Sequence, residues 1–153
     1  MRQLPQRRAE NRGQALVEFA CVLPIFLLML FAIIDVGRVV WANDSLANAA
    51  REAARYAIVH GGSDTTTDPV GPGLTKQPIV DTAHAFAIAA GDNLVVQVCY
   101  GEGCTGDNDT TASNARGTPV TVTVRSEVSM LTGSLVGFAP LAVSATSTMV
   151  VNN

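Results

Sequence analysis

A chain of 153 residues has the length of one domain with room for an appendage, which excludes a large multi-domain enzyme. Hydrophobic residues make up 48% and charged residues 15%, and much of the apolar content sits in one block near the N-terminus, so a membrane segment is the first expectation. The formal charge of −3 divides unevenly: Arg2, Arg7, Arg8 and Arg12 against Glu10 leave +3 before that block and −6 after it, with no basic patch for nucleic acid.

Residues 15–34, ALVEFACVLPIFLLMLFAII, form a run of twenty whose only charged group is Glu18. At about 1.5 Å per residue a helix of that length crosses the roughly 30 Å hydrocarbon layer. A transmembrane helix over 14–36 is therefore predicted, preceded by a basic segment at 1–13. The arginine excess before the span predicts a cytoplasmic N-terminus and an exported C-terminal part, with membrane lipid as a partner. A cleaved signal peptide is the rival reading, but its apolar core runs to about 15 residues at most and ends in a small-residue cleavage site. Here the run continues into Asp35-Val36-Gly37-Arg38 and further helix-favouring sequence. Pro24, inside the run, lacks an amide hydrogen and predicts a kink or loosened turn. Cys21 reads as a small hydrophobe within the bilayer.

Beyond the span the pattern stays helical. Val36, Val39, Val40, Leu46, Ala47, Ala50, Ala53, Ala54, Ala57 and Ile58 fall near i, i+3, i+4, i+7 spacing, and Gly61-Gly62 after His60 supplies a stop. The simplest expectation is one helix over 14–60, anchor first and external spine second (37–60); a break near Gly37 or Asn43 is the alternative. Asp44, Arg51, Glu52 and Arg55 read as a solvated face, and Asp35 with Arg38 as an interfacial i, i+3 ion pair.

An acid at position 18 needs a reason, because an ionised carboxylate in the membrane interior costs about 2.5 to 3.5 kcal/mol and much less near an interface. Reaching water or Arg12 at the cytoplasmic face is one. The neighbours suggest another. Gly13 followed by Gln14, Ala15, Leu16, Val17, Glu18 and Phe19 resembles the processing site of type IV prepilins, and RGQALVEFACVLPIFLLMLFAIIDVGRVVWA together with NAAREAARYA resembles the TadE-like family. That family comprises pilin-related proteins of tight-adherence (Flp) pilus systems.

The resemblance implies cleavage by a prepilin peptidase between Gly13 and Gln14, so that the leader is lost and the anchor kept. It implies that Glu18, fifth residue of the mature chain and followed by Phe19, sets register by pairing with the new α-amine of Gln14 on a neighbouring subunit. It further implies a minor pilin or pseudopilin, assembled with other pilin subunits by an inner-membrane platform and its ATPase, in the bacterial cytoplasmic membrane or a surface pilus. The alternative from the residues alone is an unprocessed, membrane-anchored domain that binds a ligand or envelope component.

The external domain, 61–153, reads as α+β. Residues 61–78, GGSDTTTDPVGPGLTKQP, predict a loop. Residues 79–90 predict a short helix with Ile79, Ala83, Phe86, Ala87 and Ala90 on one side. Three alternating runs follow: Leu94, Val96, Val98, Tyr100; Val120, Val122, Val124; and Leu141, Val143, Ala145, Met149, Val151. Period two over half-apolar runs predicts an antiparallel sheet of about three strands with one covered face, the cover being the alanine-rich spine. The expected fold is thus a long helix and a short second helix on a small sheet, a pilin-like layout.

Cys99 and Cys104 bracket YGEG, and on the exported side a structural disulfide between them is expected. Residues 101–119 predict a solvated hairpin loop whose Asp107-Asn108-Asp109 lacks an EF-hand's spacing, so calcium is not expected. The connector over 131–140, LTGSLVGFAP, either caps the sheet edge or forms a contact patch, with capping preferred. His84 has no second histidine or cysteine at metal-ligand spacing. No cofactor is expected, and no nucleophile–base pair, phosphate-cradling glycine loop or HExxH occurs, so no enzyme is expected.

Overall fold

Fifty-four consecutive residues, Arg7–His60, form α1, which runs without interruption through Gly13, Pro24 and Gly37. The computed structural model describes residues 7–60, 76–90, 93–103, 115–137 and 139–152, with side chains from Gly13 onward except at 134–136. The break allowed for near Gly37 does not occur. A single glycine costs a helix only about 1 kcal/mol, and a Cβ placed at Gly37 would meet nothing within 4 Å, so no packing demand bends the chain there.

Among the described residues, the first half of α1 buries no side chain. Its most apolar window is entirely unburied, with mean hydropathy 2.7, and large side chains such as Leu16, Ile25 and Phe26 stand exposed around the helix. The second half changes character within one turn. Ala42, Leu46, Ala49, Ala50, Ala53, Ala54 and Ala57 are all buried, and the small alanine side chains let a sheet approach the helix backbone closely.

That sheet has three antiparallel strands in chain order: β1 (Val95–Tyr100), β2 (Pro119–Val128) and β3 (Leu141–Val150). β2 lies in the middle, pairing Val98 with Val122 on one side and Val124 with Ala145 on the other. Its alternation is the cleanest of the three: Val120, Val122, Val124, Ser126 and Val128 face the helix, while Thr121, Thr123, Arg125 and Glu127 face away. Burying each such valine is worth about 1.5 to 3 kcal/mol relative to exposure. On the outer face Thr121 and Thr148 share a hydrogen bond of 2.9 Å and Thr123 and Thr146 one of 3.1 Å.

Two short helices complete the domain. α2 is Gln77–Phe86, beginning two residues earlier and ending four residues earlier than expected; Pro78 sits in its first turn, where a missing amide hydrogen costs nothing. The loop read over 61–78 therefore gives up Gln77 and Pro78 to α2, and its residues 61–75 lie outside the described residues. Ile79, Ala83 and Ala87 are buried as anticipated, whereas Phe86 is 41% exposed. The connector over 131–140 contains a helix, α3 (Leu131–Val136), closed by Gly137 at φ 84°, a left-handed C-terminal stop that glycine adopts without strain.

Both short helices are completed by side chains of α1. Ser45 Oγ accepts from Ala89 N at 3.1 Å and donates to the Phe86 carbonyl at 3.4 Å, tying down the C-terminal end of α2. Asp35 does the same for the N-terminus of α3.

Candidate functional site

Two stretches of α1 carry the chemistry, one at the start of the apolar run and one at its end. At the start, Gln14 and Glu18 lie one turn apart, and Gln14 Nε2 donates to Glu18 Oε1 at 3.2 Å. Glu18 and Phe19 are both exposed, as is the free thiol of Cys21. Gly13 is helical, and a Cβ built on it would meet nothing within 4 Å, so the fold itself makes no demand for glycine there. The residues that the resemblance singles out, Gly13, Gln14, Glu18 and Phe19, thus share one exposed helical segment, with the Glu18 carboxylate held by its own Gln14 amide. This segment is exposed throughout, and burial against the rest of the domain begins at Asp35, just past the apolar run.

At the end of the run stands Asp35, one of two buried polar residues among those described, only 4% exposed. Its Oδ1 accepts from Leu131 N at 2.8 Å; its Oδ2 accepts from Thr132 N at 2.8 Å and from Thr132 Oγ1 at 2.6 Å. The α3 position that normally supplies such an acceptor is Met130, which has none, so a carboxylate 96 residues away satisfies the unpaired amides of the first turn. The favourable sign is set by the helix dipole, positive at that end. Arg38 Nη1 lies 3.8 Å from Asp35 Oδ1. The i, i+3 pair read from the sequence therefore exists, but it is the outer and longer of Asp35's contacts. Missing from the sequence reading was the partner helix; the available signal was an acid at the end of an apolar run and a short apolar helix with no capping residue of its own.

The remaining predicted groups are dispersed. Cys99 is buried near the end of β1, followed by Gly101 and Gly103 at φ 104° and 70°; Cys104 lies outside the described residues, as do Asp107, Asn108 and Asp109. His84 is exposed on α2, and His60 Nδ1 sits 3.0 Å from the Tyr56 carbonyl, its ring stacked on Tyr56. Tyr100 is enclosed beneath the sheet with no partner for its hydroxyl among the described residues, and burial pushes its ionisation up to about 12.

Fold and site together define an α+β protein whose single long helix is apolar, exposed and compatible with a single-pass membrane anchor over its first half, and packed under a three-stranded sheet over its second. Residues 13–55 match the family model described as TadE-like protein, so the chain carries a TadE-like segment that spans the candidate processing site, the apolar run and most of the buried spine. The match stops before α2 and the sheet. No curated protein and no solved structure matches the chain.

Proposed function

We propose that this protein is a minor pilin or pseudopilin of a tight-adherence pilus, non-enzymatic, exported beyond the cytoplasmic membrane with its N-terminus on the cytoplasmic side. The observation that carries the reading is the TadE-like match over residues 13–55, whose first residue is the glycine of the pattern Gly13-Gln14 followed by Glu18-Phe19. A prepilin peptidase cuts after Gly13, and the α-amine released on Gln14 provides a cation for the Glu18 carboxylate of an adjacent subunit. In a low-dielectric filament core an acid and an amine offset one another only in good geometry, so a subunit out of register leaves a buried charge unpaired. The glycine is one that the fold does not require, which fits recognition by a protease rather than packing. Other pilin subunits, an inner-membrane platform and its ATPase complete the assembly.

Cys99 and Cys104 form a disulfide on the exported side, closing the turn that Gly101 and Gly103 make at the end of β1. Thiol labelling of the denatured protein with and without reductant checks it: two additional thiols after reduction are expected, and none would refute the bond.

Mass spectrometry of the mature N-terminus tests the processing. A chain beginning at Gln14 is expected, and Gly13→Leu is expected to leave the longer precursor in the membrane. The rival, an unprocessed anchored domain, is favoured by one observation, the helical conformation of the bond after Gly13. It requires one size in both strains and functional material that still carries the segment before Gln14.

A further inference from the structure

The charges on α1 mark out a second ruler besides the apolar run. Between Glu18 and Arg38 lie nineteen residues, and the one charged residue among them is Asp35. As helix they measure about 30 Å, the thickness of the hydrocarbon layer. With Glu18 at the inner boundary, the outer boundary falls at Arg38, and Asp35 lies about 5 Å inside it. A lone carboxylate at that depth is unfavourable, yet this one is buried, takes three hydrogen bonds from α3 and faces the Arg38 guanidinium. α3 is therefore held by Asp35 near the outer end of this ruler.

The surroundings of that contact are apolar and open. Leu131, at the start of α3, is 47% exposed, and Leu141, which pairs with Val128 at the same end of the sheet, is 43% exposed. Val36, Val40 and Trp41 continue the apolar surface of α1 past Asp35 on the side that the domain leaves uncovered, Trp41 being 61% exposed. Trp41 stands about 5 Å beyond Arg38, within a headgroup layer of about 5 to 8 Å, where an indole places its ring in the apolar zone and its N–H in the wet one. Arg38, 42% exposed, offers a cation to lipid phosphates at the same height.

We propose that the lower end of the sheet domain, Leu131 and Leu141 beside the Asp35–α3 contact, together with Val36, Val40 and Trp41 on the uncovered faces of α1 at the same height, is a lipid-binding foot seated in the outer leaflet of the membrane that α1 crosses. The occupant is the bilayer because Val36, Val40 and Trp41 carry the exposed apolar surface of α1 on from the spanning run and Arg38 stands at phosphate height. The foot fixes the angle and height of the sheet above the membrane while the subunit waits for extraction. It rests on the reading of residues 19–37 as a membrane span, and the experiment separates the two.

Trp41 is the chain's one tryptophan, so its fluorescence reports the foot without a mutation. In vesicles of zwitterionic and anionic phospholipid, lipids brominated close to the glycerol are expected to remove about half of the Trp41 emission, and lipids brominated near the methyl ends much less. Moving the reporter with Trp41→Phe and Leu131→Trp is expected to give the same shallow pattern, and adding Asp35→Ala is expected to abolish quenching at position 131, since α3 is then untethered. Trp41→Phe with Leu27→Trp is expected to be quenched by deep bromines. Loss of that deep signal overturns the span itself; a deep signal at 27 combined with Trp41 or Leu131→Trp open to aqueous iodide and untouched by brominated lipid overturns the foot alone. Shielding of either reporter that grows with protein-to-lipid ratio, without bromine quenching, also overturns it, in favour of a second copy of this chain.

Discussion

Residues 13–34 and 35–60 belong to one unbroken helix, yet they differ in almost every physical respect. The first half displays Leu, Ile, Phe and Met around its whole circumference and buries none of them within the protein. The second carries fewer bulky groups, but all of its alanines except Ala47 are buried under the sheet and α2. Total apolarity does not say whether a helix packs on its own domain; side-chain size and one-sidedness do. A helix apolar all round asks for lipid or other helices as solvent, and one with a flat stripe of alanine asks for a partner surface.

The sharpest way to break this contrast is to delete a large side chain from each half. Leu46→Ala, in the buried stripe, is expected to cost the sheet domain about 2 to 5 kcal/mol in denaturant unfolding, whereas Leu27→Ala is expected to leave that transition within about 0.5 kcal/mol. Equal effects would erase the distinction. The converse change sharpens it: Ala53→Leu should cost about 1 to 3 kcal/mol by forcing the helix off the sheet, an overpacking effect that the first half has no neighbour to produce.

A smaller effect comes from pH. Tyr100 ionises at 10.0 in an unfolded chain and at about 12 here, so as pH rises through this window the unfolded state loses its proton first and is favoured. The domain is expected to lose up to about 2 kcal/mol between pH 10 and 12, and Tyr100→Phe should remove that slope in equilibrium unfolding while leaving stability at pH 7 equal or slightly higher. Smallest of all is the outer face of the sheet. Thr121→Val with Thr148→Val removes a cross-strand hydrogen bond that water readily replaces, and a change in unfolding free energy below about 1 kcal/mol is expected.

Much of this architecture was legible from local pattern. Val120, Val122 and Val124 declared both strand and buried face, because period two leaves one geometry in which all three point the same way. Ile79, Ala83 and Ala87 marked the buried side of α2 for the analogous helical reason. The ends of the short helices were not legible: α2 stops at Phe86 because Ser45 engages its terminal groups, and α3 forms within the 131–140 connector because Asp35 supplies an acceptor its own sequence lacks.

By itself, then, the sequence determined the exposed apolar half of α1, the buried spine, the strands and the TadE-like segment over residues 13–55, since each depends on residues within a few turns of one another. Only the tertiary structure decided that an aspartate at the end of the apolar run would hold a helix nearly a hundred positions later. Hydrogen bonds between distant segments leave no periodic trace along the chain; they exist once packing of α1 against the sheet has brought the two ends of the domain together.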